Sequence, residues 1–566
     1  MFKVYISKAK SKPLDIKNNA RAAQAEIDKA RESGAKLIVF PQGFLTGVQL
    51  GILEDVLYLR QAYSETYDRL AQSNPDMYIL GDMRRVADGK YFFENVIYHG
   101  TDRNSGTEFE IDGFKFRSFN NVKDIDERKL YAADFTDTDC VIINESAPVF
   151  AGSRILAKKF FEKVSQWLGA TVICALGGYG YTSHPDIYMP AAGIFNKKEN
   201  YLSTTLGEFI NGPSLFEIEK SDSIGDIFIT RLPSLEFDIA FNQNPLIPRE
   251  LDEKEYCLDL FHLQSVSLAT RMMNIGCKTA VVALSGGLDS ALALLVTVNA
   301  FDILGLDHSG IRVISMPGFG TSSTTKGLAG DLAESLGLEL KMIDITNACR
   351  QALLDIGHDA KTPDITFENV QARMRTLNGL NLANAVGGIM VGTGDLSEVM
   401  LGFSTYGGDH LASYGVNSTV SKTVIRTMLP YVIELENIAP AAKPITDILN
   451  IPVSPELVPH GGEILQKTEE ILAPYKLIDF FIYCFVIAKM SPIEMAQRAS
   501  CVFEGEFSPS YLKEKAQMLH RRFITGQFKR SAAPEGARLT HVNIAGMQRS
   551  IPSDAGMGLF NYFLGE

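Results

Sequence analysis

The stretch "ALSGGLDSA" at 283–291 sets the tightest limit on how this chain can fold. It ends a short apolar run, "TAVVAL" (279–284), and opens an apolar helical segment. A strand must therefore stop, turn on Ser285, Gly286 and Gly287, and restart as a helix. Such a turn gathers backbone N–H groups into one concavity at a helix N-terminus, where an anion is stabilised. Glycine is needed there because a side chain would fill the cradle. Asp289 inside the turn would repel a phosphate, so it makes sense as the holder of a Mg2+ that bridges phosphate oxygens. A glycine turn of no special purpose accounts for "SGG" alone. The strand before it, Asp289 and Ser290 within it and the helix after it favour a nucleotide.

The text around this turn repeats the alternation. Apolar strands are predicted at "IRVISM" (311–316), "LELKMIDI" (338–345) and "GGIMVGTG" (387–394), with helical segments between them. That order predicts a doubly wound parallel sheet. The first half opens with a strand, "MFKVYIS", and then a helix with Ile16, Ala20, Ala23, Ile27 and Ala30 at helical spacing and Asp15 as its N-cap. Further strands are predicted at "KLIVF", "DMYILGD" (76–82), "CVIINES" (140–146) and "ATVICALGG" (170–178), with a helix over 153–169. This is the pattern of a layered α/β domain. Around 213–250 the text turns polar and proline-bearing, which places a boundary near 245. The expected organisation is a first domain over 1–245, a helical linker over 246–278 with its helix at about 252–275, and a second domain over 279–566.

A length of 566 residues with 46% hydrophobic content suits more than one core. The formal charge of -13 argues against nucleic acid or an anionic membrane as partner. The seven cysteines have no metal-ligand spacing, and their odd number suits free thiols in a reducing compartment. Lys3, Lys8, Lys10 and Lys12 interrupt any apolar leader, and "FFIYCFVIA" (480–488) is too short to span a bilayer. A buried helix and a cytoplasmic location are expected.

"SGGLDS" resembles the signature of the pyrophosphate-loop ATPases, which cleave ATP between the α and β phosphates and adenylate a carbonyl or carboxyl oxygen. Further segments are similar to the NAD synthetases among them. "FENVQARMR" (367–375) resembles their ENxQAR segment, and "GTGDLSEVMLGFSTYGGDH" (392–410) their TGxxSE…GxxTxYGD stretch. "VSKT" (420–423), "SPELVP" (454–459) and "LIDFFIY" (477–483) match in order. "RRFITGQFKRSAAPEG…RSIPSDAG" (521–556) looks like the tail of the long, glutamine-dependent type. The resemblance covers about 279–556 and implies an adenine nucleotide α-hydrolase-like synthetase fold. It also implies a reaction: ATP adenylates the nicotinate carboxylate of deamido-NAD, and ammonia displaces AMP to give NAD+. Carried over by position, Ala283, Leu284, Ser285, Gly286, Gly287, Leu288, Asp289, Ser290, Thr393 and Lys422 would hold ATP. Asp289 and Glu398 would hold Mg2+. Asn369, Arg373, Glu398, Asp409 and Lys529 would hold deamido-NAD, with Asp289, Asp409 and Lys422 as the catalytic group. Cations there offset the repulsion between a carboxylate and a polyanion. Alone, Lys529 and Arg530 would read as a solvated pair, and Glu398 as a helix-start carboxylate.

Long NAD synthetases begin with a nitrilase-like α-β-β-α sandwich that hydrolyses glutamine with a Glu, Lys and Cys triad, and residues 1–245 resemble it. "LIVFPQGFLTG" stands where the family has a PE turn, and "IINESAPVFAGSR" (142–154) where it has N-x-S-A-S-P. The chemistry needs a thiolate, a carboxylate to take its proton and a lysine at the oxyanion. The carboxylate position carries Gln42, and Phe119 or a neighbour stands at the cysteine position. The lysine-bearing loop is absent, because "FFENVIYHGTDRNSGTEFEIDGFKF" (92–116) passes straight through. Cys140 and Cys174 lie in apolar strands, where a buried structural thiol is the commoner role.

The leading expectation is an NAD synthetase with a retired glutaminase, fed by ammonia and assembled as a homo-oligomer, as the family is. The alternatives are a glutamine-dependent enzyme with a relocated nucleophile, a ligase for another carboxylate, and a non-catalytic subunit. Retention of Ser285, Asp289, Thr393, Glu398 and Lys422 counts against the last. A tRNA thiolase is disfavoured by the acidic charge and the lack of paired cysteines.

Overall fold

The computed structural model describes residues 1–48, 57–87, 90–122, 138–146, 149–177, 181–182, 187–188, 190–203, 208, 211–220, 237–319, 323–451 and 472–542. The segments "SPELVP" and "RSIPSDAG" lie outside them. The chain divides into two compact units, Met1–Glu236 and Phe237–Glu566.

In the first unit, strand Phe2–Ile6 pairs in parallel with Leu37–Val39, which pairs in parallel with Tyr78–Ala87. The helix Ile16–Glu32 connects the first two strands; the Asp15 side chain caps it, and Ala23, Ile27 and Ala30 are buried along it. Leu215–Ile218, Lys90–His99 and Asp102–Asn104 complete a six-stranded sheet. A second six-stranded sheet runs in the order Asn200–Leu202, Ala191–Phe195, Thr171–Leu176, Cys140–Glu145, Phe114–Phe119, Glu108–Ile111. Alternate residues of a strand face opposite sides. Val4, Ile6, Leu37 and Val39 of the first sheet therefore meet Ile142, Ile173 and Ala192 of the second in one apolar layer. On the outer faces, Ile38 and Ile79 pack with Ile27, Tyr63 and Tyr67, while Val141, Ile143 and Val172 pack with Phe160, Phe161 and Val164. Two sheets face each other between helices, the expected α-β-β-α sandwich.

The 92–116 stretch has no long loop and runs as short strands joined by tight turns. It leaves strand Lys90–His99, turns at Gly100, and turns again at Asp112 and Gly113 between two paired strands. Asp112 has φ 53° and Gly113 φ 75°, and Asp-Gly suits a tight hairpin turn of that kind. The two strand cysteines fall on opposite faces. Cys140 sits between the sheets and Cys174 in the layer that also holds Phe160, Phe161 and Val164.

In the second unit, helix Glu253–Ile275 is capped by Asp252, whose side chain accepts from the Glu255 N–H. A five-stranded sheet follows in the order Leu340–Met342, Ile311–Ser315, Ala280–Ala283, Ile389–Gly392, Tyr414–Gly415, with every neighbouring pair parallel. The chain winds outward from Ala280–Ala283 to one edge, then returns to the other side at Ile389–Gly392. The carboxyl ends of these two strands flank the point where the winding reverses, and ligands of open α/β sheets bind in that crevice. The edge strand Tyr414–Gly415 escaped the sequence reading because two residues carry no periodic signal. The expected helix over "FFIYCFVIA" is Tyr475–Val486, buried almost throughout. No described helix is long and apolar enough to cross a membrane.

Gly81 offers a direct test of packing in the first unit. A Cβ there would meet the Tyr67 ring at 2.6 Å, and that ring is fully buried and stacked on Tyr98 at 5.2 Å between centroids. Gly81→Ala is expected to cost the unit about 1 to 3 kcal/mol through overpacking. The single tryptophan, Trp167, lies in this unit, so its fluorescence during urea unfolding reads the loss. An unchanged midpoint would show that the ring can move aside.

Candidate active site

The glycine turn sits at the carboxyl end of Ala280–Ala283, and the helix Leu288–Leu304 begins directly after it. The sheet ladder extends one residue past Ala283, where the Leu284 N–H donates to Ile314 O at 2.8 Å. Gly286 has φ +85°, a conformation that a side chain would strain. Ser285 and Ser290 close the turn on itself, with their hydroxyl oxygens 3.0 Å apart and the Gly287 N–H donating to Ser285 Oγ at 3.2 Å. Asn417 ties this turn to the neighbouring strand end. Its Nδ2 donates to Asp289 O at 2.9 Å and to Thr393 O at 3.0 Å. The buried Gln264 amide in turn donates to Asn417 Oδ1 at 3.0 Å.

Three carboxylates converge beside the turn: Asp289 from the first strand end, and Asp395 and Glu398 from the helix Leu396–Leu401 after the second. Each offers an oxygen, and these oxygens lie within 4.8 Å of one another. Lys422, at the start of helix Lys422–Val432, pairs with all of them: with Asp289, with Asp395 at 2.8 Å and with Glu398 at 3.5 Å. Its side chain is 1% exposed. Burial works against the Lys422 charge, but the carboxylates more than offset it and hold its pKa well above the ordinary value. Burial raises Asp289 to about 6 and pushes Glu398 well above the carboxylate range, with Lys422 opposing both shifts.

Only when all three acids are ionised does the group carry two negative charges beyond the Lys422 ammonium, a state that a bound cation would favour. Asp289 Oδ1 is buried without a hydrogen-bond partner among the described residues. A hard divalent cation seeks oxygen donors and an unsatisfied charge of this kind, so the residues fit Mg2+. Asp395 was missed from the sequence. Its signal was there, an acidic N-cap three residues ahead of Glu398; its carboxylate accepts from the Glu398 N–H at 2.8 Å.

Asp479 was also missed. It is the one acid within "LIDFFIY", and a charge in so apolar a helix marks a buried polar contact. Ser397 Oγ donates to its Oδ1 at 2.6 Å, and the Thr423 N–H and hydroxyl donate to its Oδ2 at 2.9 and 2.6 Å. Ser397 Oγ accepts from the Lys422 N–H at 3.1 Å. Asp479 thus joins the two helix starts that carry Glu398 and Lys422.

The expected substrate residues gather around one loop, Gly402–His410. Asn369 Oδ1 accepts from the Thr405 hydroxyl at 2.8 Å, and Arg373 Nε donates to Tyr406 O at 3.1 Å. Asp409 accepts from the Thr405 N–H at 2.7 Å. Lys529 Nζ donates to Gly402 O at 2.9 Å and Ser404 O at 2.7 Å. Arg530 is buried, not solvated, and donates to Gln527 and to backbone carbonyls. A pocket lies beside the loop, with Gly394, Glu398, Asp409, His410, Ser418 and Lys529 on its walls. Burial raises Asp409 and lowers Lys529. The geometry thus joins Asp289, Glu398 and Lys422 in one centre, to which Asn417 ties the Thr393 backbone, and gathers Asn369, Arg373, Asp409 and Lys529 around one loop.

In the first unit the positions singled out in sequence also meet. Gln42 Nε2 donates to Asn120 O at 3.1 Å, directly after Phe119. Gln42 Oε1 accepts from the Ser146 N–H at 3.0 Å, and the Gln42 N–H donates to Asn144 Oδ1 at 3.0 Å. The amide is used at both ends. A carboxylate could not donate to Asn120 O, so glutamine suits this place better than glutamate. Burial pushes the Cys140 and Cys174 thiols well above their ordinary range. They remain protonated at neutral pH, which is inert for nucleophilic work.

Residues 262–503 match the family described as NAD synthase. Proteins the chain is similar to include glutamine-dependent NAD(+) synthetases. That of Mycobacterium tuberculosis (strain CDC 1551 / Oshkosh) is 36% identical over 320 residues, which is 52% of this chain and 47% of the relative. The chain thus spans about half the length of the mycobacterial relatives it matches. That of Acinetobacter baylyi is 22% identical over 564 residues, 95% of this chain and 96% of the relative. Among solved structures, the glutamine-dependent NAD(+) synthetase from Cytophaga hutchinsonii shares the fold over 100% of both chains, with a TM-score of 0.75 at 14% identity. The one from Acinetobacter baumannii, in complex with adenosine diphosphate, covers 98% of both, with a TM-score of 0.62 at 17% identity.

Two measurements test these local roles. Burial raises Asp479 to about 6. A carboxyl with a raised folded-state pKa contributes stability at low pH that is lost as the pH rises through that value. The urea midpoint of the second unit should fall between pH 5 and 7 by more in the native protein than in Asp479→Asn; equal slopes would refute the assignment. Gln42→Glu should weaken the first unit by about 1 to 3 kcal/mol at neutral pH, because the new carboxylate faces a carbonyl. The loss should shrink at low pH, where the acid can donate; Trp167 fluorescence follows it.

Proposed function

We propose that this chain is an NAD+ synthetase: with ATP it amidates deamido-NAD through an adenylated carboxylate. The observation that carries the reading is the meeting of the glycine turn, Asp289, Glu398 and Lys422 at the reversal point of a parallel sheet. The match of residues 262–503 to the NAD synthase family supports it.

In this reading the turn Ala283–Ser290 and Thr393 receive ATP, and Asp289 and Glu398, joined by Asp395, hold Mg2+. Bound there, Mg2+ would draw charge from the phosphate oxygens as pyrophosphate departs. Lys422 offsets the repulsion between the nicotinate carboxylate and the α-phosphate as they approach. Asn369, Arg373, Asp409 and Lys529 hold the loop Gly402–His410 and, through it, the wall of the deamido-NAD cavity. The chain acts in the cytoplasm as a homo-oligomer.

The nitrogen donor is ammonia. The first unit is a retired glutaminase domain: Gln42 cannot take a proton, Phe119 stands at the nucleophile position, and the buried thiols are inert. A glutamine-dependent enzyme with a relocated nucleophile is the second reading, favoured by what the relatives are named.

The deciding assay is NAD+ formation from deamido-NAD, ATP and Mg2+ with a single nitrogen source. Ammonium should support turnover and glutamine should not. Equal rates with glutamine would overturn the retired glutaminase, and Cys140→Ser and Cys174→Ser would then identify the nucleophile. Silence with both would overturn the synthetase. In a second assay, Asp289→Asn should lower deamido-NAD-dependent ATP–pyrophosphate exchange by about 100-fold or more, as removal of a transition-state charge contact does.

A further inference from the structure

An enzyme fed from solution meets its nitrogen mainly as ammonium, which has no lone pair with which to attack. Something must take a proton. His410 stands on the cavity wall with Glu398, Asp409 and Lys529. Its Nδ1 lies 2.8 Å from Thr405 O. A carbonyl only accepts, so Nδ1 carries the hydrogen and the neutral ring keeps its lone pair on Nε2. Nε2 is buried and has no hydrogen-bond partner among the described residues. A histidine on a cavity wall, fixed in one tautomer by a backbone carbonyl and with its other nitrogen buried and unpartnered, has the lone pair of a proton acceptor, which a small shift of the loop would open to the cavity.

We propose that His410 is the proton acceptor for the incoming ammonium, an inference that rests on the synthetase reading above. Asp409 draws the cation into the cavity, and Lys529 opposes a second cation there. Ammonium gives one proton to His410 Nε2. The freed lone pair forms the C–N bond to the adenylated carboxyl carbon. The bond from that carbon to the phosphate-bearing oxygen then breaks, and AMP leaves with the electron pair. The surplus proton on nitrogen passes to water, and His410 later returns its own proton to water.

The test compares nucleophiles. Hydroxylamine is largely neutral at neutral pH and needs no proton removed before attack. His410→Gln can still donate to Thr405 O but is no base. The variant should lose about 100-fold in kcat with ammonium at pH 7, within the range for general-base catalysis. It should keep hydroxamate formation with hydroxylamine, and deamido-NAD-dependent ATP–pyrophosphate exchange, within about threefold of the native enzyme. Its ammonium rate should climb about tenfold per pH unit as free ammonia increases, while the native rate stays flatter. An equal fall with both nucleophiles would overturn the proposal and leave His410 as a strut of the loop. Native enzyme that shows no such exchange would overturn the synthetase reading itself.

Discussion

The second unit is organised around one buried ammonium. Lys422 is the counter-ion that allows Asp289, Asp395 and Glu398 to share a space of a few ångströms. Unpaired, three carboxylates so close would not all remain ionised. Each is delivered by a different piece of chain: the glycine turn, the cap of helix Leu396–Leu401 and that helix's first turn. Lys422 arrives from a third strand end. Breaking a pair of this kind costs several kcal/mol because an uncompensated charge is left behind. The centre is therefore a constraint on where three helices may begin.

Asp479 secures the same arrangement from behind. It binds Ser397 and Thr423, neighbours of Glu398 and Lys422, so the two helix starts cannot drift apart without stranding a buried carboxyl. On the far side of Glu398 the loop Gly402–His410 is bonded by Asn369, Arg373 and Lys529. Asn369 and Arg373 come from one helix, Ile365–Ala385, and Lys529 from another, Gln527–Arg530. A cavity wall fixed from several directions is pre-organised, which is what positioning a reacting group demands.

In the proposed reading, the first unit keeps the frame of a site whose chemistry is altered. Gln42, Asn120, Asn144 and Ser146 form a closed set of hydrogen bonds at the ends of strands from both sheets. Each donor meets an acceptor, and the glutamine amide supplies one of each. In the proposed reading, that satisfaction is what replaced a reactive carboxylate.

Much of this was legible in the text. Strand–turn–helix at 279–291 required Gly286, because only a residue free of Cβ strain accepts φ +85°. Apolar spacing located the first helix and Asp15 as its cap. The order of strands and helices gave both layered folds, since local periodicity is a property of neighbouring residues. What escaped lacked local signal: the two-residue strand Tyr414–Gly415, the hairpins within 92–116, and the partners of Asp395, Asp479 and His410. Sequence alone picked out Asp289, Glu398 and Lys422 as candidates and the elements that present them. Only the tertiary structure decided that Lys422 faces Asp289 across 133 residues, that Asp479 spans two helix starts, and that His410 keeps one nitrogen free. Those pairings depend on distances between elements, and charge and hydrogen bonding act through space, not along the chain.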